Sequence, residues 1–420
     1  YEFNQKLHFI KFKIMIIFII NQYALNTDEG DGSKHYYLSK ELVSMGHEVY
    51  LVSASYNHLA HSPTTQKENV CIKLIDGINY VHIKTFKYKK TTSLKRVLNW
   101  FIFTYGVSNL YKLISRTPNI IIASSPPPFV FLGAYKLAKK VKAKLFFEIR
   151  DFWPLTLTEF GGYSSWNPLI IFMQLIDNFA LKKSDVILSS IPYAIEYKNI
   201  RKKFKKKFYY LPNGFDMKEL IAKPKIPHYI YSVIPKEKFI VGYVGSCGRV
   251  NALHIVLKSA ELLKKYNSIC FVIVARGKGL IELKSQANKM KLKNIIFINH
   301  TKKKYIQSVI KLFDACYIGW QNKSLYNYGV SPQKLPEYLF SGKPIIHSYS
   351  GKGCVVKEAD AGISVPAEDP VKVAEAVLRL KRMSASERIR LGRNGKNYSI
   401  KKYDYKKIFI DFDKFMKSIV

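Results

Sequence analysis

Short runs of consecutive apolar residues, each followed by a helix-length amphipathic segment, recur along the whole chain, and this alternation limits the fold more than any other feature. Ile14-Met15-Ile16-Ile17-Phe18-Ile19-Ile20 and Asn119-Ile120-Ile121-Ile122-Ala123 are examples. Continuous apolar strands are buried on both faces, which is the pattern of parallel sheets covered by helices. The first half reads as strand 14–20, helix 33–45, strand 48–53, strands near 70–86, helix 92–115, strand 119–123, helix 129–140 and strand 143–148. Helix 167–182 and strands 185–190 and 207–211 follow. A Pro/Lys-rich stretch at 212–237 separates this half from a second run of the same kind. That run reads as strand 238–245, helix 252–265, strand 269–275, helix 280–290, strand 294–299, helix 302–312, strand 314–319, helix 336–341, strand 344–347 and helices 369–381 and 384–395. The expected class is α/β, with two facing Rossmann-like doubly wound parallel-sheet domains at 14–212 and 213–402. Residues 403–420 space Tyr405, Ile408, Phe409, Phe412 and Phe415 as on one helix face, which needs a partner and is expected to pack back on the first domain. Residues 1–13 read as an extra arm.

The bulk numbers agree with a two-domain globular chain. Its 420 residues are 48% hydrophobic and 23% charged, which excludes wholesale disorder. The five cysteines are scattered without close pairs, so neither a disulfide framework nor a zinc site is expected, and a reducing compartment is the simplest reading. The run 14–20 is too short to span a membrane, and no small-residue cleavage site follows it. The net charge of +38 is spread over both halves and reads either as compositional drift in a chain also rich in Ile, Tyr and Phe or as attraction to anionic lipid or nucleic acid.

In open parallel sheets ligands bind beyond the carboxyl ends of the strands, so the loops there are the candidates. After the first strand, Gly30 and Gly32 precede a helix, where a backbone can approach a ligand; the dinucleotide fingerprint G-x-G-x-x-G is absent. After strand 143–148, Arg150-Asp151-Phe152-Trp153-Pro154 sets two charges at a strand mouth. They read either as a loop-anchoring pair or as a catalytic carboxylate, Asp151, with Arg150 holding charge nearby. In the second half, Gly245-Ser246-Cys247-Gly248-Arg249 and Arg276-Gly277-Lys278-Gly279 both interleave glycine with cations at strand ends, which suits an anionic ligand. Ser331-Pro332-Gln333-Lys334-Leu335-Pro336-Glu337-Tyr338 places Pro336 at a helix start, Glu337 in the first turn as an acceptor for a ribose diol, and Lys334 just ahead to neutralise a leaving diphosphate.

Gly30-Asp31-Gly32, Arg150-Asp151-Phe152-Trp153-Pro154, Pro212-Asn213-Gly214-Phe215-Asp216 and the 331–338 segment occur in the order that resembles family-four glycosyltransferases of GT-B fold. Arg-Asp-x-Trp-Pro and Ser-Pro-x-Lys-Leu look like the O-antigen and capsule N-acetylfucosamine transferase subgroup. The resemblance implies a nucleotide-diphosphate sugar donor, uridine-linked in many members, held by the C-terminal domain. It also implies retention of anomeric configuration, no cofactor and no metal, and an undecaprenyl-diphosphate-linked saccharide acceptor. Catalytic roles then fall to Asp151, Arg249 and Lys334, and substrate contacts to Gly30, Gly32, Arg150, Gly245, Arg276, Gly277, Ser331, Leu335 and Glu337. Two positions depart from the pattern. Gly329 stands where many members carry a first glutamate, and Asn251-Ala252 stand where a Lys-Gly pair falls.

Such an acceptor implies a cytoplasmic protein, peripheral on the inner face of the membrane. Residues 84–116 offer Lys84, Lys87, Lys89, Lys90, Lys95 and Arg96 beside Leu94, Val97, Leu98, Phe101, Phe103 and Tyr105, with Trp100 and Tyr105 suited to the headgroup level. Two other readings share features of the sequence. A nucleotide-sugar 2-epimerase has the same architecture, and a basic nucleic-acid-binding protein would use the charge, although no recognition module with the required spacing is present, and no nucleic-acid partner is expected.

Overall fold

The computed structural model describes residues 13–30, 32–58, 60, 67–88, 93–200, 202, 207–222, 224–277, 279–299 and 301–420. All but residue 13 of the expected arm, together with Asp31, Lys89, Lys90 and Lys278, lie outside the described residues. The chain divides into two compact units. The first runs to Glu148 and adds Lys182–Val186 and Phe409–Val420, and the second holds Ile149–Leu181 and Ile187–Ile408.

The elements follow in order. They are β1 (Ile16–Ile20), α1 (Lys34–Ser44), β2 (Glu48–Ala54), β3 (Val70–Ile75), β4 (Ile78–Ile83), α2 (Leu94–Ser108), β5 (Ile120–Ser124), α3 (Val130–Val141), β6 (Lys144–Ile149), α4 (Leu155–Gly161), α5 (Pro168–Lys183), β7 (Val186–Ser189) and β8 (Lys207–Tyr210). Then come α6 (Met217–Ile221), α7 (His228–Tyr231), β9 (Phe239–Ser246), α8 (His254–Leu262), β10 (Ile269–Arg276), α9 (Gly279–Lys289), β11 (Ile295–Asn299), α10 (Ile306–Ile310) and β12 (Ala315–Gly319). The chain closes with α11 (Lys334–Phe340), β13 (Ile345–Ser348), α12 (Val355–Glu358), β14 (Gly362–Val365), α13 (Pro370–Arg382), α14 (Ala385–Lys402) and α15 (Tyr405–Lys417).

Two sheets result, ordered β3-β4-β2-β1-β5-β6-β7-β8 and β11-β10-β9-β12-β13-β14. In each the chain winds outward from its first strand, β1 to β2 and the β3–β4 hairpin or β9 to β10 and β11, and then returns to that strand's other side with β5 or β12, the doubly wound arrangement. Ile17 of β1 stands between Val49 and Ile120 of its two parallel neighbours. The segment near 70–86 is one antiparallel hairpin, with Ile75 paired to Ile78.

The first unit buries Ile17, Ile19, Leu51, Ile122 and Phe147 at 1% exposure or less. Its last residues join that core: Phe409, Phe412 and Met416 of α15 are fully buried, and the His47 imidazole lies 2.9 Å from Asp413. In the second sheet the two faces feed separate clusters. Phe239, Val241 and Tyr243 of β9 pack with α8 and α13 residues, whereas Ile240 and Val244 pack with Phe313 and Leu339. That period of two explains why these strands read as unbroken apolar runs.

Several boundaries differ from the sequence reading. Helix 92–115 ends at Ser108, and 302–312 resolves into a 3-10 turn at Lys303–Tyr305 followed by α10. The helix expected at 336–341 begins at Lys334, so Pro336 is its third residue; its missing N–H still falls among the donors that a first turn leaves unpaired. The short α4, α6, α7 and α12 carry too few residues for a periodic signal. Trp100 does not reach toward a lipid surface. It is 4% exposed, its indole N–H donates to Tyr23 Oη at 3.0 Å, and Phe103 is fully buried on the same side of α2.

His347 in β13 is fully buried. Its Nε2 accepts the Trp320 indole N–H at 3.1 Å, so protonating it would set two N–H donors against each other. Burial holds its pKa down to about 3. The unfolded chain protonates this ring below its ordinary value of about 6.5 while the folded one stays neutral. The contribution is therefore fully present above that value and is lost as the pH falls toward 3. Urea unfolding of the second unit is expected to lose about 2 kcal/mol from this ring between pH 7 and pH 5. His347→Gln, which keeps an acceptor but no titration, should lose correspondingly less; equal losses in the two proteins would contradict the assignment.

Candidate active site

The second unit brings most of the predicted residues to one end of its sheet. β9 runs out at Gly245-Ser246, and the Cys247 N–H donates to the Arg276 carbonyl at 2.8 Å, so the loops after β9 and β10 lie side by side. Gly245 has φ +152°, and a side chain there would put its Cβ 3.0 Å from Lys334 Nζ. Glycine at 245 is thus what lets a lysine from α11 enter the strand end.

Lys334 comes in from the first turn of α11. Its Nζ donates to Tyr243 Oη at 2.6 Å and to Asn251 Oδ1 at 2.8 Å. Burial lowers its pKa to about 7, while the Cys247 thiol pulls in the opposite direction. It forms no ion pair with a carboxylate among the described residues. Arg249, in a 3-10 turn after the β9 loop, is exposed and also lacks an ion-pair partner among them. Arg276 is exposed at the end of β10, beside Gly277. Two guanidinium groups and one amine therefore collect where the glycines leave room.

Glu337 lies one turn after Lys334 and its carbonyl accepts from Gln307 Nε2 at 2.9 Å. Its carboxylate acts on Lys303. Burial pulls the Lys303 amine down, but Glu337 and Glu219 outweigh it, and the net shift is upward. Ser331 is bolted to the Pro212-Asn213-Gly214 loop: Asn213 Nδ2 donates to its carbonyl at 2.6 Å. The Leu335 side chain lies in the core at 2% exposure. Gly329 has φ +91°, and a Cβ there would meet Pro192 Cγ at 2.6 Å. A glutamate has no place at that position.

Arg150 and Asp151 open the second unit after β6. Asp151 Oδ1 accepts from the Phe152 N–H at 2.9 Å and the Thr156 hydroxyl at 2.6 Å, which ties it to the start of α4. Burial raises its pKa; the bonds from Thr156, Phe152 and Trp153 and the Arg150 charge oppose this.

Gly30 and Gly32 belong to the first unit, ahead of Ser33, whose side chain caps α1 by accepting from the Tyr36 N–H. Behind them stands a buried network that the sequence reading missed. Glu148 at the end of β6 takes the Lys34 amine at 2.5 Å and the His35 imidazole at 2.6 Å, and the Ser124 hydroxyl donates to it at 2.5 Å. All three charged or ionisable side chains are at 1% exposure or less. A glutamate inside the apolar run Leu145-Phe146-Phe147-Glu148-Ile149 was the available signal, because a carboxylate survives burial only when paired.

Among the described residues no cluster of three or more His, Cys, Asp or Glu side chains is placed to hold a metal ion, and no helix is long and apolar enough to cross a membrane.

Residues 231–398 match the family model described as glycosyl transferases group 1. The match contains Gly245, Arg249, Arg276, Gly277, Ser331, Lys334, Leu335 and Glu337. No curated protein sequence matches the chain. Similar solved structures include sucrose-phosphate synthase from Thermosynechococcus elongatus, with TM-score 0.74, 14% identity and 96% of this chain against 99% of that one. The E. coli trehalose-6-phosphate structure bound with UDP-2-fluoro glucose gives TM-score 0.71 and 13% identity over 96% and 99%. Anabaena HepE in complex with UDP-glucose gives TM-score 0.67 and 12% identity over 96% and 100%. The chain thus has the GT-B fold, and its residues 231–398 match the group 1 glycosyl transferase model.

Proposed function

We propose that the chain transfers a sugar from a uridine-diphosphate sugar to an undecaprenyl-diphosphate-linked saccharide, in the assembly of O-antigen or capsule. The transfer retains anomeric configuration and needs no metal. The observation that carries the donor half is the placement of the Arg249 guanidinium and the Lys334 amine, neither paired with a carboxylate among the described residues, at glycine-lined strand ends within residues 231–398. Departure of the sugar builds negative charge on the diphosphate, and cationic groups set at the strand ends stabilise that charge most in the transition state. They supply what a divalent cation would otherwise supply. The uridine preference is supported by the UDP sugars in the HepE and E. coli complexes. Placement with the N-acetylfucosamine transferase subgroup rests on the Arg150–Pro154 and Ser331–Leu335 segments.

In this reading Glu337 accepts hydrogen bonds from the ribose hydroxyls. Glu337→Gln is expected to weaken UDP-glucose binding by about 10- to 100-fold, roughly 1.5–3 kcal/mol, the range for hydrogen bonds to a charged group. Calorimetric titration checks this, and unchanged affinity would remove Glu337 from the site.

Asp151 is the base that acts on the acceptor hydroxyl. Its partners in the loop need only an acceptor oxygen, which asparagine also offers. Asp151→Asn should therefore keep the melting temperature and donor affinity while transfer falls to background. Transfer at the wild-type rate by the folded variant would leave Asp151 as the anchor of α4.

The membrane half rests on α2. Leu94, Leu98, Phe101 and Tyr105 are 86%, 48%, 43% and 71% exposed, and their spacing sets them on one face, opposite Trp100, Phe103 and Val107. Lys95 is exposed beside them. An apolar stripe edged by cations is the composition of a helix that lies in the lipid interface, where each nearby cation adds about 1 kcal/mol. Anionic liposomes should sediment the wild-type protein, and Leu94→Ser/Leu98→Ser/Phe101→Ser should bind at least about tenfold more weakly. Equal binding by the variant would move the contact elsewhere.

A further inference from the structure

The amine of Lys334 rests between two acceptors and beside no anion. Tyr243 Oη and Asn251 Oδ1 lie 2.6 and 2.8 Å from Nζ. Both partners have their own donors engaged by one carbonyl: the Tyr243 hydroxyl donates to Ser246 O at 2.6 Å, and Asn251 Nδ2 donates to the same oxygen at 3.1 Å. Each can therefore only accept from Lys334. Two acceptors match the two N–H groups of a neutral amine, whereas an ammonium has three. The third proton would find no hydrogen-bond acceptor among the described residues, and an unsatisfied, desolvated charge is costly. Nζ is 4.4 Å from the Tyr243 ring centroid. With its 2.6 Å bond to the hydroxyl, this sets the amine off the phenol oxygen and not over the ring face that would favour a cation.

We propose that Lys334 is kept as an uncharged amine while the site is empty and takes up one proton as a nucleotide diphosphate arrives, its third N–H then meeting a diphosphate oxygen. This rests on the donor reading given above. Tyr243 and Asn251 are positioning residues, since they act through Lys334. Other titratable or charged groups on the elements that meet here include Cys247, Arg249, Arg276, Glu282, Glu337 and Tyr338. Of these only Cys247 pulls Lys334 toward the charged form, against the larger effect of burial. The influence of Glu282 falls on Cys247, whose thiol burial raises, and Glu337 acts on Lys303.

The sign follows from the amine's pKa of about 7 in the empty site. Donor affinity is independent of this group below that pH and falls about tenfold per unit above it. UDP-glucose is a suitable probe because its diphosphate does not titrate near neutrality. Calorimetry at pH 8 in two buffers of different ionisation enthalpy should report about one proton taken up per UDP-glucose bound. Asn251→Asp places a carboxylate against the amine, holds it charged beforehand, and should bring the uptake close to zero. In the free protein, the lysine Cε resonance that disappears in Lys334→Arg should titrate near 7 and move up by two units or more in saturating UDP-glucose. A resonance that titrates at the ordinary lysine value in the free protein, or one that saturating donor leaves unmoved, overturns the proposal. Absence of UDP-glucose binding at every pH contradicts the donor reading instead, and the free-protein titration still decides whether the amine is stored uncharged.

Discussion

The hydroxyl of Tyr338 holds the site together. β12 pairs with β9 only at Val241 and Gly242 and then diverges, which leaves the Val244 N–H and C=O on that side without a strand partner. Tyr338 replaces the missing strand: the Val244 N–H donates to its hydroxyl at 2.6 Å, and the hydroxyl donates to the Val244 carbonyl at 2.9 Å. Both groups are buried, so leaving them unpaired would cost on the order of 1–3 kcal/mol each. The bond fixes α11 in the opening between the two strands. Lys334 and Glu337, on the same short helix, are set at the strand end as a consequence.

The two units treat charge at their strand ends in opposite ways. In the first, Glu148 gathers Lys34, His35 and Ser124 into a buried network, in which the positive charge is balanced within the protein. Such a network fixes the start of α1 behind the glycine loop. In the second, Lys334 and Arg249 have no carboxylate to balance them among the described residues, and the strand ends are lined with glycine. A buried pair is spent on structure, whereas an exposed guanidinium and an amine able to take up a proton are available to an anionic ligand. This contrast is the physical basis for assigning the donor to residues 231–398.

Much of the fold was legible because the period-two split of Ile240 and Val244 from Val241 and Tyr243 makes a doubly covered strand read as one apolar run. Elements whose identity depends on tertiary contacts were not legible. α4 begins beside the Asp151 carboxylate that accepts from the Thr156 hydroxyl, α11 is held to β9 by Tyr338, and Trp100 turns inward where Tyr23 offers its indole a partner. In the candidate site, glycines and cations at strand ends were visible as a pattern. What the pattern could not contain was that Asn251 and Tyr243 meet Lys334 from another element, or that Gly329 lies under Pro192 and excludes a carboxylate. Glu148 was visible as a letter but not as a network, since its partners lie 24 residues or more away in the chain.

The central claim is that a nucleotide sugar binds at the strand ends of the second unit, around β9, β10 and α11. Hydrogen–deuterium exchange with and without saturating UDP-glucose tests it most directly. Slowed exchange is expected in peptides covering 245–252, 274–280 and 331–338, with little change at 30–36. Protection confined to 30–36, or none in the three second-unit segments despite measurable binding, would contradict it.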